Sequence, residues 1–290
     1  MSKLIFSFFN STAVAGVFTA HQRNVSILFT PIIFTLLLFS SNCCEAQSLV
    51  QLAPPFLQYH SVFFKNETHV ELKFAQDGTK IHYTLNNQPP TKQDKIYTRP
   101  IPIKETITTV KAIATGNNFL TSEIVSATFI KDGFKIKSVQ QTTANERFPG
   151  TSANTLIDNE GGIKDLNSKT WLGYRQDSVE INILMDGKPK ISSVLIDCLQ
   201  DHGGWVFLPE QIKVFYYDDA KASFELMAEQ SLPTNKIVNG ASCQPIMMVS
   251  STQVTAEKIK IILTGIKSLP EDHPGKGQHG WIFIDEIKLY

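Results

Sequence analysis

Apolar and polar residues alternate with a period of two along most of this chain, the period of a half-buried strand and not of a helix. Val70, Leu72 and Phe74 share one face while His69, Glu71 and Lys73 share the other. Ile81, Tyr83 and Leu85 repeat the pattern after the hairpin signal Asp77-Gly78. Val110, Ala112 and Ala114 repeat it after the turn-rich run from Asn86 to Thr91, and Val125, Ala127 and Phe129 close the series. Residues 59–131 therefore read as one small β-sandwich. Lys131-Asp132-Gly133 marks a seam, and residues 132–290 carry a second series. There Val179, Ile181, Ile183 and Met185 alternate, with further strands expected at Val194–Leu199, Trp205–Leu208, Ile212–Tyr216, Ile259–Leu263 and Trp281–Leu289. Sequential antiparallel strands with long loops predict a jelly roll of roughly eight strands. The expected fold class is all-β: an immunoglobulin/fibronectin-like sandwich, then a jelly-roll sandwich.

The 27 basic and 27 acidic side chains cancel. Without a basic run nothing neutralises phosphates, so no nucleic-acid partner is expected. Residues 1–46 read as a signal peptide. Lys3 and Arg23 precede the apolar run Ile27 to Phe39, and small or polar residues follow at Ser40, Ser41 and Asn42. The run is shorter than the ~20 residues that cross a bilayer, so no permanent membrane span is expected. Cleavage after Ala46 would leave Gln47 as the first residue and 47–58 as a linker. Two alternatives stay open: lipidation at Cys43 or Cys44, although Ser40 stands where a lipobox wants an aliphatic residue, and an uncleaved anchor. Export to the medium, the periplasm or the outer surface follows. Loss of the leader would leave Cys198 and Cys243, either as buried thiols or as one disulfide.

Chemistry-bearing motifs are sparse. The chain holds no Gly-x-Ser-x-Gly elbow, Walker loop or dinucleotide fingerprint. Gly275-Lys276-Gly277 lacks the Ser/Thr that a phosphate loop needs, and the seven histidines show no zinc spacing. Asp218-Asp219 reads as a solvated turn. Asp285-Glu286 is an adjacent acid pair, but on a regular strand neighbours point to opposite faces, so joint catalysis is not expected.

Two stretches resemble known modules. Ile81-His82-Tyr83-Thr84-Leu85-Asn86-Asn87-Gln88-Pro89-Pro90-Thr91, with Tyr97 to Ile101 and Val110 to Ala114, resembles the chitobiase/β-hexosaminidase C-terminal module, a fibronectin-like sandwich. Asn87 stands where that pattern has a turn glycine. Trp171 to Tyr174, Leu199 to Asp201, Trp205 to Pro209, His273 to Gly277 and Trp281 to Ile287 resemble the discoidin-like (coagulation-factor C-type) jelly roll. The pair in this order is similar to the accessory modules behind the barrel of bacterial glycoside hydrolase family 20 enzymes, which act on terminal N-acetylhexosamines. The resemblance covers residues 59–290 and leaves 12 residues between a mature start at Gln47 and the first sandwich, too few for a barrel.

The resemblance implies a secreted, non-catalytic carbohydrate-binding or adhesion protein. Its ligand would be a glycan containing N-acetylhexosamine or galactose. The alternative is a structural piece or fragment that braces a hexosaminidase catalytic domain. Sugar C–H faces pack on aromatic rings and sugar hydroxyls need polar partners. Trp171, Tyr174, Arg175 and Gln176 are the candidate ligand-binding residues, with Trp171 expected to reach solvent as a platform; Trp205 and Trp281 lead apolar strands and are expected in the core. The resemblance also implies a structural calcium held by Asp158, Thr170 and Glu286, with backbone carbonyls near Asn159 to Asp165. The competing reading has Asp158 capping a turn and Glu286 facing water.

Overall fold

A computed structural model describes residues 49–233 and 239–290. The leader expected over residues 1–46, with Cys43 and Cys44, lies outside the described residues. The first sandwich contains β1 (Val50–Gln51), β2 (Phe56–Gln58), β3 (Phe63–Phe64), β4 (Thr68–Lys73) and β5 (Thr79–Thr84). It continues through β6 (Lys95–Ile96), β7 (Ile101–Ile103), β8 (Ile107–Gly116), β9 (Phe119–Leu120) and β10 (Val125–Lys131). One sheet runs β3-β10-β8-β5-β6 and the other β2-β4-β7. Val70, Leu72 and Ile101 from one meet Val110, Ala112 and Phe129 from the other. Residues 50–58 are not a linker throughout. β1 pairs with β9 and β2 with β4, because Leu57 finds a place in this core. Asn87 takes φ 63°, so the asparagine supplies the left-handed turn in place of glycine.

The second sandwich contains β11 (Ile136–Gln141), β12 (Leu172–Tyr174), β13 (Ser178–Met185), β14 (Lys190–Gln200) and β15 (Gln211–Asp218). β16 (Ser223–Ser231), β17 (Ser242–Thr255), β18 (Lys258–Thr264) and β19 (Ile282–Leu289) complete it. Its sheets are β11-β13-β18-β15-β16 and β12-β19-β14-β17, paired antiparallel. Ile181 and Ile261 from the first pack on Ile196 and Ile284 from the second, all fully buried. Each such side chain contributes ~1.5–3 kcal/mol of transfer free energy. The fold is all-β, a small two-sheet β-sandwich followed by a larger antiparallel one.

Trp205–Leu208 does not form the expected strand. Trp205 sits at φ 66° after a 3-10 turn over His202–Gly204, and only Val206 makes a ladder bridge. Cys198 points into the jelly-roll core while Cys243 lies in a cluster on the opposite face, so both are free thiols and no disulfide joins them.

The two sandwiches belong to one compact unit. Val62, Phe63 and Ile130 of the first pack against Leu195 of the second, and Tyr290 Oη donates to Lys131 O. The backbone crosses so tightly at the seam that a Cβ on Gly133 would lie 2.1 Å from Leu289 O. The outer face of β14 and β19 is thereby covered. Among the described residues no helix is long and apolar enough to cross a membrane.

Candidate functional site

Arg175 leaves the end of β12 beside the two indoles that flank the loop end of the jelly roll. Its guanidinium carbon lies 5.7 Å from the ring centre of Trp205 and 5.7 Å from that of Trp281. Nε donates to His279 O and Nη2 to Gln278 Oε1, each at 3.1 Å. A guanidinium over an indole face gains ~0.5–2 kcal/mol, so two faces and two hydrogen bonds hold this exposed side chain in one pose. His279 Nδ1 lies 3.4 Å from Asp177 Oδ1, and Phe148 meets Trp281 edge-on at 5.3 Å. Both tryptophans are half-buried and not core residues as expected, because the flank facing Arg175 lies at the surface. Behind them, His273 accepts from Gly275 N at Nδ1 and donates from Nε2 to His202 O. His202 stacks on Phe207 at 4.1 Å, and burial first, then His273, holds its pKa below the usual imidazole value.

Trp171 is not a solvent platform. It is fully buried with Phe148, Leu199 and Phe283, and Nε1 donates to Ile163 O at 2.9 Å. Its ring is covered by Leu199 and Phe283, far along the chain, which local polarity does not reveal. Tyr174 is equally buried; burial pushes its phenol pKa well up, and its hydroxyl has no partner. Gln176 is exposed but turns away, donating to Thr143 O at 3.2 Å. Of the four expected residues only Arg175 stands beside the indoles. Trp205 and Trp281, near the loops in sequence but expected in the core, join it with His279, and Gln278 is the member that was not expected.

The acid pair also departs from expectation. Between Asp197 and Cys198 the β14–β19 register slips, so Asp197 faces Glu286 while Cys198 faces Ile284. Asp285 is the extra residue of a β-bulge, which places it and Glu286 on the same outer face. Asp285 Oδ2 accepts from Gly162 N at 2.7 Å and Glu286 Oε2 from Asn159 N at 2.8 Å. The pair is thus not split across the strand. Both side chains are fully buried, out of a substrate's reach.

Lys288, two residues further along the same face, decides whether Glu286 fits a calcium site. Its side chain is 3% exposed and its ammonium reaches Glu286 Oε1 at 2.9 Å, Asp132 Oδ1 at 2.9 Å and Asn159 Oδ1 at 2.8 Å. Burial raises the Glu286 pKa to about 8, against the pull of Lys288 and the Asn159 N–H. Asp158 is occupied by Thr151 Oγ1 and Glu160 N, and Thr170 Oγ1 pairs with Ser168 Oγ. A protein ammonium supplies the positive charge here, and Asp158, Thr170 and Glu286 do not fit a calcium ion. Melts in calcium and in chelator are expected to superimpose; a site at hundredfold excess over its dissociation constant would add ~2.7 kcal/mol, a shift of several degrees.

Solved structures resembling the chain do so over about half its length. A family 32 carbohydrate-binding module of Clostridium perfringens NanJ, solved with galactose, is 16% identical, covers 52% of this chain and 91% of its own, and gives a TM-score of 0.35. The C-terminal domain of a Bacteroides fragilis chitobiase is 19% identical over 54% of this chain and 91% of its own, TM-score 0.33. A Ruminococcus gnavus GH29 fucosidase solved with fucose is 18% identical over 53% of this chain, TM-score 0.31, and the match spans only 24% of that enzyme. Among curated proteins there is no match. Residues 70–129, most of the first sandwich, match the Fn3-associated family model.

Proposed function

We propose that the protein is an exported, non-catalytic carbohydrate-binding protein whose glycan site is the loop end of the jelly roll, at Arg175, Trp205, Trp281, Gln278 and His279. The observation that carries this reading is the guanidinium fixed beside two half-buried indoles, with an exposed amide and imidazole on its rim. Apolar ring faces next to immobilised donors are what a pyranose requires, since its C–H face and its hydroxyls must be satisfied together. The resemblance of both sandwiches to hexosaminidase accessory modules points the same way and favours N-acetylhexosamine or galactose. The adjacent carboxyls Asp285 and Glu286 are buried on the face of the jelly roll that the first sandwich covers, apart from this end.

Calorimetric titration of the full chain with N-acetylglucosamine, galactose and their oligomers tests the reading. One shallow platform is expected to give micromolar to millimolar dissociation constants, ~4–8 kcal/mol. Arg175→Ala should weaken binding at least tenfold, ~1.4 kcal/mol, while the chain still melts cooperatively, because Arg175 is exposed. Binding unchanged in that variant would remove the site. Silence with every sugar would reject the binder and favour a module that braces a hexosaminidase.

A further inference from the structure

A cleft of about 420 Å³ opens between the two sandwiches, and none of the loop-end residues Arg175, Trp205, Trp281, Gln278 and His279 lines it. Its volume falls in the ~300–1,000 Å³ range of small-molecule sites. One wall is the outer surface of β8 and β10, with Thr109, Lys111, Ser126 and Thr128; the other includes Lys164 and the Ser242 to Pro245 end of β17. The lining is thus rich in hydroxyls, with amides from Asn87 and Gln244 and the ring of Tyr59.

Charge makes the cleft selective. Lys111 Nζ donates to Asn87 O at 2.7 Å and Lys164 Nζ to Ser126 O at 3.2 Å. Neither lysine takes part in any ion pair among the described residues. An ammonium has three N–H donors, so each keeps donors and a full charge for a ligand. Asp197 lines the floor, is 1% exposed, and has the neighbouring Asp285 carboxyl as its hydrogen-bond partner. A built polar floor under two uncompensated cations is unlike a simple packing defect, which would be apolar and dry.

We infer that this cleft is a second binding site, for a sugar carrying a carboxylate such as a uronic acid residue, with Lys111 and Lys164 receiving the carboxylate and the Thr109, Ser126, Thr128, Asn87 and Gln244 side chains receiving its hydroxyls. The carbohydrate class rests on the reading given above, while the site and the acidic character rest on the cleft itself. Two ammonium groups give the anion its orientation, and Tyr59 gives the sugar ring an apolar flank. The site draws on both sandwiches.

The full chain is titrated with trigalacturonic acid, with neutral tri-N-acetylglucosamine, and with acetate as a carboxylate without a sugar. Trigalacturonic acid is expected to bind and to weaken at least tenfold in the Lys111→Ala/Lys164→Ala double variant and in Ser126→Trp, which fills the cleft. Arg175→Ala should leave it unchanged, whereas neutral-sugar binding should respond only to Arg175→Ala. Melting curves establish that each variant is folded. Trigalacturonic acid binding lost in Arg175→Ala and kept in the double variant would place the acid at the loop end and overturn the cleft. Equal binding of acetate would reduce the cleft to a charge trap and also overturn it, as would no binding of trigalacturonic acid at all. Loss of the neutral sugars alone would sink the loop-end reading and leave this one standing.

Discussion

Above the Glu286 pKa of about 8, where its carboxylate is ionised, Lys288→Met is expected to destabilise the protein by about 3–5 kcal/mol, the cost of removing one partner from a buried ion pair. The ammonium joins three segments: Glu286 on the closing strand, Asn159 on the loop before β12, and Asp132 at the seam. Phe63 of the first sandwich lies over it at 5.9 Å. Without the charge, Glu286 would keep the Asn159 N–H but stay buried with no cation, and the seam would lose Asp132's partner. The double variant Lys288→Met/Glu286→Gln should recover much of the loss, because a neutral amide costs far less to bury than an unpaired carboxylate. Urea melts of the four proteins in this cycle give the coupling directly. A loss under 1 kcal/mol in the single variant, or no recovery in the double, would show that the ammonium does not hold these segments together.

Much of the architecture was legible because alternation reports the period of a strand directly. The runs through Ile181, Ile196 and Ile261 became β13, β14 and β18, with every expected inward residue buried. β16 and β17 were missed for a physical reason. β16 buries only Met227, and Pro245 breaks the early part of β17, so neither shows a clean two-residue pattern. Trp205 to Leu208 shows the reverse failure, an apolar run turned into a loop by one left-handed residue. At the site, Arg175 was readable as a donor, but the burial of Trp171 depends on Ile163, whose carbonyl takes its N–H. The bulge at Asp285 carries no local mark; it is set by the register across to Asp197 and Cys198. One signal stood in plain view. Glu286 and Lys288 are two apart on a strand, so they share a face, and a lysine there competes with any cation for the same carboxylate.

Raising the pH from about 5 to 8 is expected to lower stability, the reverse of the behaviour of most carboxylates. Asp197 and Asp285 are fully buried side by side on the outer face of β14 and β19. Asp285 Oδ2 has the Gly162 N–H, and the Asp197 and Asp285 carboxyls are hydrogen-bonded to each other, which requires a proton on one of them. Burial raises the Asp197 pKa to about 7; burial first, then the neighbouring Asp197, raises Asp285 well above the ordinary range. The two acids then share protons, as carboxyls this close cannot both ionise cheaply. Cys243, whose thiol burial pushes further up, stays neutral through this range. In the unfolded chain both aspartates titrate near ~3.9. Between that value and about 7 the folded state therefore binds more protons than the unfolded state. Stability falls as pH rises through this window, by at most ~1.4 kcal/mol per pH unit for each proton involved. Below the window both states are protonated and the stabilisation is fully present. Asp197→Asn keeps the shape and removes one titration. It should flatten the slope between pH 5 and 8 and raise the melting temperature at pH 8 above that of the parent. Glu286 with Lys288 adds its own pH dependence, so the decisive quantity is the difference between parent and variant across the series. A parent that gains stability from pH 5 to 8, or an Asp197→Asn profile parallel to the parent's, would mean that the two aspartates are not the buried protonated pair described here.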